Sequence, residues 1–152
     1  MGNVTHSSLT GTDLHEPKGV ATATNNQVYV ANGSSSGAWT NRQHILITYL
    51  EDVSTPETVY VPIPFQGEIV KITSVLTNAI TVADSVVTFK NSAGTTMGTM
   101  TIAYSGSGAG NIDSNSSLAN NTVAADSFIT IETNGASNTA AKLWLAVVLE
   151  RT

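Results

Sequence analysis

At 152 residues the chain is long enough for one domain with a real hydrophobic core plus an extension, and too short for two full domains. Its net charge of -5 rests on 11 acidic and 6 basic residues without a basic cluster, which argues against neutralising neighbouring phosphates and so against nucleic acid as a partner. Cysteine is absent, which excludes disulfides, thiolate nucleophiles and cysteine-based metal sites.

Thr, Ser and Asn together make up roughly a third of the residues, a bias toward strands and turns and away from helix interiors. The N-terminus, Met1-Gly2-Asn3-Val4-Thr5-His6, has no basic segment followed by an apolar one, and nothing later approaches the ~18 apolar residues of a membrane span. A soluble protein made in the cytoplasm, with no membrane partner, is the expectation.

Residues 1–40 read as an extended N-terminal arm. Pro17 and Gly19 break any periodicity, and a Gly/Ser tract runs from Gly33 to Gly37. A short strand-like island, Gln27-Val28-Tyr29-Val30-Ala31, could pair with a sheet edge in this chain or a neighbour. Fully extended, Leu9 to Trp39 spans ~100 Å, enough to cross onto another subunit.

Residues 41–152 read as strands at short spacing: His44 to Leu50, Thr58 to Val61, Glu68 to Leu76, Ser85 to Lys90, Thr99 to Ala103, Ser127 to Thr133 and Lys142 to Leu149, separated by turn-rich segments. No amphipathic helix interrupts them. The expected class is all-β: an antiparallel, jelly-roll-like β-sandwich of seven to eight strands.

Several strands are apolar on both faces. In the last one Leu143, Leu145, Val147 and Leu149 alternate with Trp144, Ala146 and Val148; in the first, Ile45, Ile47 and Tyr49 lie opposite Leu46 and Leu50. Glu68 to Leu76 is similarly mixed. A two-layer sandwich buries one face of each sheet, so the second face is expected to pack on another subunit, making the protein a homo-oligomer. Between Asn91 and Ala125 the only charged residue is Asp113, which fits a subunit contact, a cap on the sandwich or a surface loop.

Little here points to catalysis. His6, His15 and His44 are the available imidazoles, and none sits in a nucleophile or metal motif. Asp13, His15 and Glu16, with His6, could offer ligands to a divalent ion, but four convergent ligands are not visible and a solvated turn explains them. No metal and no cofactor is expected. Asp84, Asp126, Glu132, Glu51 and Asp52 could pair as glycosidase acid and base only across a cleft, and an Asx-turn suffices for Asp84 and Asp126. Gly106-Ser107-Gly108-Ala109-Gly110 lacks the helix and lysine of a phosphate loop. The chain is read as a non-enzyme.

Two segments carry a resemblance. Leu9-Thr10-Gly11-Thr12-Asp13-Leu14-His15-Glu16-Pro17-Lys18-Gly19-Val20-Ala21, with Val28 to Gly33 and Gly37-Ala38-Trp39, resembles the N-terminal segment of small tailed-phage structural proteins, the head decoration, cement and head-fibre group. Val61-Pro62-Ile63-Pro64-Phe65-Gln66-Gly67-Glu68-Ile69-Val70-Lys71 and the strands beyond it are similar to the β-sandwich portion of that group. The resemblance implies a virion protein on the capsid exterior, a homotrimer that binds the major capsid protein and reinforces contacts between its subunits. Leu14, Pro17, Tyr29 and Trp39 are then the expected capsid or subunit docking contacts. The competing reading is a tail-fibre or receptor-binding sandwich that recognises host surface glycans.

Overall fold

The structure, a computed structural model, describes residues 23–31 and 37–152. The chain divides into two units, Met1–Arg42 and Gln43–Thr152. Within the first, β1 (Gln27–Ala31) and β2 (Gly37–Asn41) form a two-stranded antiparallel sheet with Tyr29 opposite Trp39. The island read from the sequence therefore pairs within its own chain, with a segment whose local pattern did not mark it as a strand. Gly37 is required by close approach: a Cβ there would lie 2.3 Å from the carbonyl oxygen of Val30 and 2.8 Å from the Tyr29 ring.

The second unit contains β3 (Gln43–Leu50), β4 (Glu57–Ile63), β5 (Gly67–Leu76), β6 (Ser85–Asn91), β7 (Thr96–Ile102), β8 (Ile112–Asn115), β9 (Thr122–Val123), β10 (Ser127–Thr133) and β11 (Leu143–Arg151). One sheet has the order β3-β11-β5-β8, with β9 also paired to β5; the other has the order β4-β10-β6-β7. Every pairing is antiparallel. β3 pairs with β11, β4 with β10, β5 with β8 and β9, and β6 with β7, the pattern of one long antiparallel hairpin rolled into two layers. That is a jelly roll, with four strands in one sheet and five in the other, and the all-β sandwich expected from the sequence is what the chain forms.

Period-two alternation explains which residues enter the space between the sheets. From β11 come Leu143, Leu145, Val147 and Leu149; from β10, Ile129 and Ile131; from β6, Val87 and Phe89; all are buried. Each such side chain contributes ~1.5–3 kcal/mol of burial. In β5 the inward set is Ile69, then Ile72, Ser74 and Leu76, because the register against β11 shifts between Val148 and Leu149, leaving Val70 unmatched. This bulge flips the alternation in mid-strand. The mixed apolarity of Glu68 to Leu76 thus has in part an internal cause, the bulge at Val70, while Val75 is outward like the second apolar set of β3 and β11.

Buried hydroxyls are satisfied. Ser85 Oγ lies 2.9 Å from Thr133 Oγ1 and donates to the Val53 carbonyl at 3.3 Å. Val53 itself is carried into the core by a local turn in which the Asp52 carboxylate accepts from the Ser54 amide at 2.8 Å and the Ser54 hydroxyl at 2.7 Å. Those bonds, the amide first, hold the Asp52 carboxyl below its ordinary value of 3.8 against an opposing effect of partial burial.

Candidate functional site

The register of β3, β11, β5 and β8 assembles an apolar surface on the solvent side of their sheet. Trp144 lies directly opposite both Tyr49 and Val75, and Val75 opposite Ile112, so the four form a row across four strands. All are exposed. The next row is Ile47, Ala146, Thr73 and Ser114, and the third is Ile45, Val148 and Lys71. Ile45, Ile47 and Ile112 are 65%, 63% and 68% exposed, an unusual degree for isoleucine in a strand.

Charge is confined to the margins of this face. At one end Lys142 pairs with Glu51 at 3.0 Å and sits 4.5 Å from the centroid of the Tyr49 ring, which in turn packs 5.1 Å from Trp144. At the other end Gln43 donates to Glu150 at 2.9 Å, with Glu68 paired to Glu150 in the register and Lys71 one row in.

The outer face of the opposite sheet is of another character. Thr58, Thr88, Thr99 and Thr101 dominate it, and Lys90 bonds Glu132 at 2.6 Å. Its apolar exposure is concentrated in Tyr60 and Phe128, whose rings meet edge to face at 5.4 Å. Beside them a cleft of about 440 Å³ is lined by Leu46, Pro62, Ile63, Pro64, Asp126 and Ser127. Asp126 is the one carboxylate in that lining, whereas acid–base glycoside chemistry uses two.

The other carboxylates singled out in the sequence have structural partners. Asp84 accepts from the Tyr104 amide at 2.9 Å, tying the start of β6 to the end of β7 rather than closing a local turn. Glu132 and Glu51 are in the ion pairs above, and Asp52 is in its own turn. His44 packs edge to face on Phe65 at 4.6 Å, and its buried Nε2 has no hydrogen-bond partner. Among the described residues no three His, Asp or Glu side chains converge as metal ligands. No described helix is long and apolar enough to cross a membrane.

The charge-poor stretch from Asn91 to Ala125 is β7, β8, β9 and turns knitted by asparagine amides. Asn115 Nδ2 donates to the Thr99 carbonyl at 2.7 Å, Asn120 Nδ2 to Thr96 at 3.3 Å and Asn121 Nδ2 to Ile69 at 2.9 Å. Neutral amides do there what ion pairs do elsewhere.

Of the four docking residues expected from the sequence, Leu14 and Pro17, like Asp13, His15, Glu16 and His6, lie outside the described residues. Tyr29 and Trp39 are brought together across the β1–β2 pair, half-buried, with ring centroids 5.4 Å apart. Val28 and Val30 on the other face of that hairpin are exposed. Sequence reasoning reached Ile45, Ile47, Tyr49, Trp144, Ala146 and Val148 through their alternation. Val75 and Ile112 join them only through strand pairing.

Compared with known proteins, the chain matches no family model. It matches no curated protein either. Among solved structures it is similar to a chain from the cyanophage Pam1 capsid asymmetric unit, at 12% identity and a TM-score of 0.49, over 74% of this chain and 86% of that one.

Proposed function

We propose that this chain is a non-catalytic virion structural protein that binds the outer surface of a phage capsid and reinforces contacts between major capsid subunits, acting as a homotrimer. The observation that carries the structural reading is the row Tyr49, Trp144, Val75 and Ile112 across one sheet. A face of this kind belongs to a protein that works in contact with other protein, since isolated monomers rarely leave such a patch in water. The capsid enters through the resemblance of the arm and the sandwich to head decoration proteins.

The hairpin is the natural docking element. A lone two-stranded sheet is marginal in water, and Tyr29 and Trp39 are the rigid aromatic anchors that protein interfaces favour. Co-sedimentation with capsid shells assembled without this chain tests the proposal. The full chain is expected to pellet with the shells, and Trp39→Ala to weaken binding about tenfold, the cost of one interface anchor. A chain that stays in the supernatant at micromolar concentration overturns the capsid role.

A second reading, recognition of host surface glycans, draws on the Tyr60–Phe128 pair beside the cleft that holds Asp126. Aromatic rings next to a carboxylate suit a sugar ring, which presents an apolar face and a rim of hydroxyls. Binding of the intact protein to a glycan array, lost on Tyr60→Ala, would favour that reading over the first.

A further inference from the structure

We infer that the outer face of the β3-β11-β5-β8 sheet seats a second copy of this chain. The inference rests on the structural role proposed above and names the partner of that face.

Area is the first argument. Tyr49, Trp144, Val75, Ile112, Ile45 and Ile47 are 41%, 43%, 38%, 68%, 65% and 63% exposed. Scaled to ordinary side-chain areas, these sum to on the order of 600 Å², against the ~800 Å² that each partner gives up in a standard interface, polar rim included. One such face nearly meets the requirement by itself.

Relief is the second. Along β3, Ile45, Ile47 and Tyr49 form a ridge of bulky side chains. Beside it the middle row falls to Ala146, Thr73 and Ser114, a trough of small residues flanked by Trp144, Val75 and Ile112 on one side and by Val148 and Lys71 on the other. The ridge runs along its strand for ~13 Å and the trough runs across three strands for ~10 Å, so the two lie roughly at right angles. A second copy supplies the ridge that fills the trough when the two sheets cross at a steep angle, as in orthogonal sheet packing, whether both contacts form at once about a two-fold or each ridge enters the next trough around a closed ring.

Charge is the third. Lys142 and Glu51 stand as an ion pair at one end of the face, and Glu150 and Glu68 with Lys71 at the other, so each end carries both signs. Face-to-face packing of two copies leaves these charges at the rims and the two rows between Tyr49 and Ser114 free of charge, as interface cores require. The opposite sheet has only the Tyr60–Phe128 pair as exposed apolar surface, and its Lys90–Glu132 pair sets charge among its threonines.

The test is mass-resolved light scattering on the full chain across a hundredfold range of concentration, with Ile47→Lys and Ile45→Lys on the face and Tyr60→Lys on the opposite sheet. All three positions are more than 60% exposed, so the variants are expected to fold, which far-UV circular dichroism checks. The wild type and Tyr60→Lys should run at two or three chain masses. Each isoleucine variant should fall toward the 15.8 kDa of one chain, with a shift of at least tenfold in the concentration for half-assembly. A monomeric wild type, or isoleucine variants that assemble like it, overturns the inference. Should a lysine variant lose the sandwich's circular dichroism, Ile47→Thr, a conservative strand residue, replaces it and must also weaken assembly. Capsid co-sedimentation is scored separately: an assembled chain that ignores capsids removes the capsid role and leaves this interface standing, and a capsid-binding monomer does the reverse.

Discussion

Gly135→Ala offers a sharp check on how the sandwich closes. Gly135 follows β10 at φ +65°, and a Cβ there would lie 2.3 Å from the nitrogen of Pro56, 2.4 Å from its Cδ and 2.5 Å from the carbonyl carbon of Thr55. These are backbone or ring atoms in the turn that leads into β4, so no side-chain rotation relieves the overlap. The left-handed conformation costs alanine ~1–2 kcal/mol, partly offset by ~0.4–1 kcal/mol from the stiffer unfolded chain. Overpacking adds ~1–3 kcal/mol, for a net loss of about 3 kcal/mol. Gly94→Ala is the control, because Gly94 has φ +79° but nothing within 4 Å of its would-be Cβ. It should lose only about 1 kcal/mol, the conformational cost less the unfolded-state gain. Urea unfolding of both variants measures the difference, which is the cost of the Pro56 contact alone. In thermal unfolding the gap should be ~8 °C, taking about 4 °C per kcal/mol for a domain of this size. Equal losses for the two glycines would refute the close approach of Gly135 to Pro56.

Two further outcomes follow from the polar contacts. Asp52 has a depressed pKa in the folded state, so the stability it contributes is present above 3.8 and is lost as pH falls through that value toward the folded one. Asp52→Asn should therefore flatten the acid limb of the stability curve below about pH 4, leaving the neutral region within ~1 kcal/mol; an unchanged acid limb would count against it. Ser85→Ala leaves the Val53 carbonyl and the Thr133 hydroxyl short of a partner in the core and should cost ~1–3 kcal/mol; because Thr133 Oγ1 also accepts from the Gly135 amide at 3.3 Å, adding Thr133→Val should cost more, but less than Thr133→Val costs in the wild type. Chemical denaturation of the single and double variants measures the coupling, and strict additivity would deny the buried pair.

Strand identity was legible because it is written in local alternation: Ser127 to Thr133 was bounded as the structure has it, and β3, β5, β6 and β11 were placed to within two residues. β8 and β9 were not, since Ile112-Asp113-Ser114-Asn115 has no apolar period of its own and is a strand only because β5 supplies its hydrogen-bond partners. β2 was missed for the same reason, its neighbour being β1. The outward apolar residues of β3 and β11 could be read from the sequence as a second face, while in β5 the same signal mixed the outward Val75 with a bulge at Val70.

Composition, the absence of cysteine and the period-two pattern thus determined an all-β chain with more apolar surface than one core consumes. Tertiary structure alone decided which strands are neighbours, and so that Tyr49, Trp144, Val75 and Ile112, up to 95 residues apart in the chain, stand in one row. The reason is physical. Alternation fixes the face on which a side chain lies, but register and strand order are set by non-local hydrogen bonding and core packing, for which a linear sequence carries no local mark.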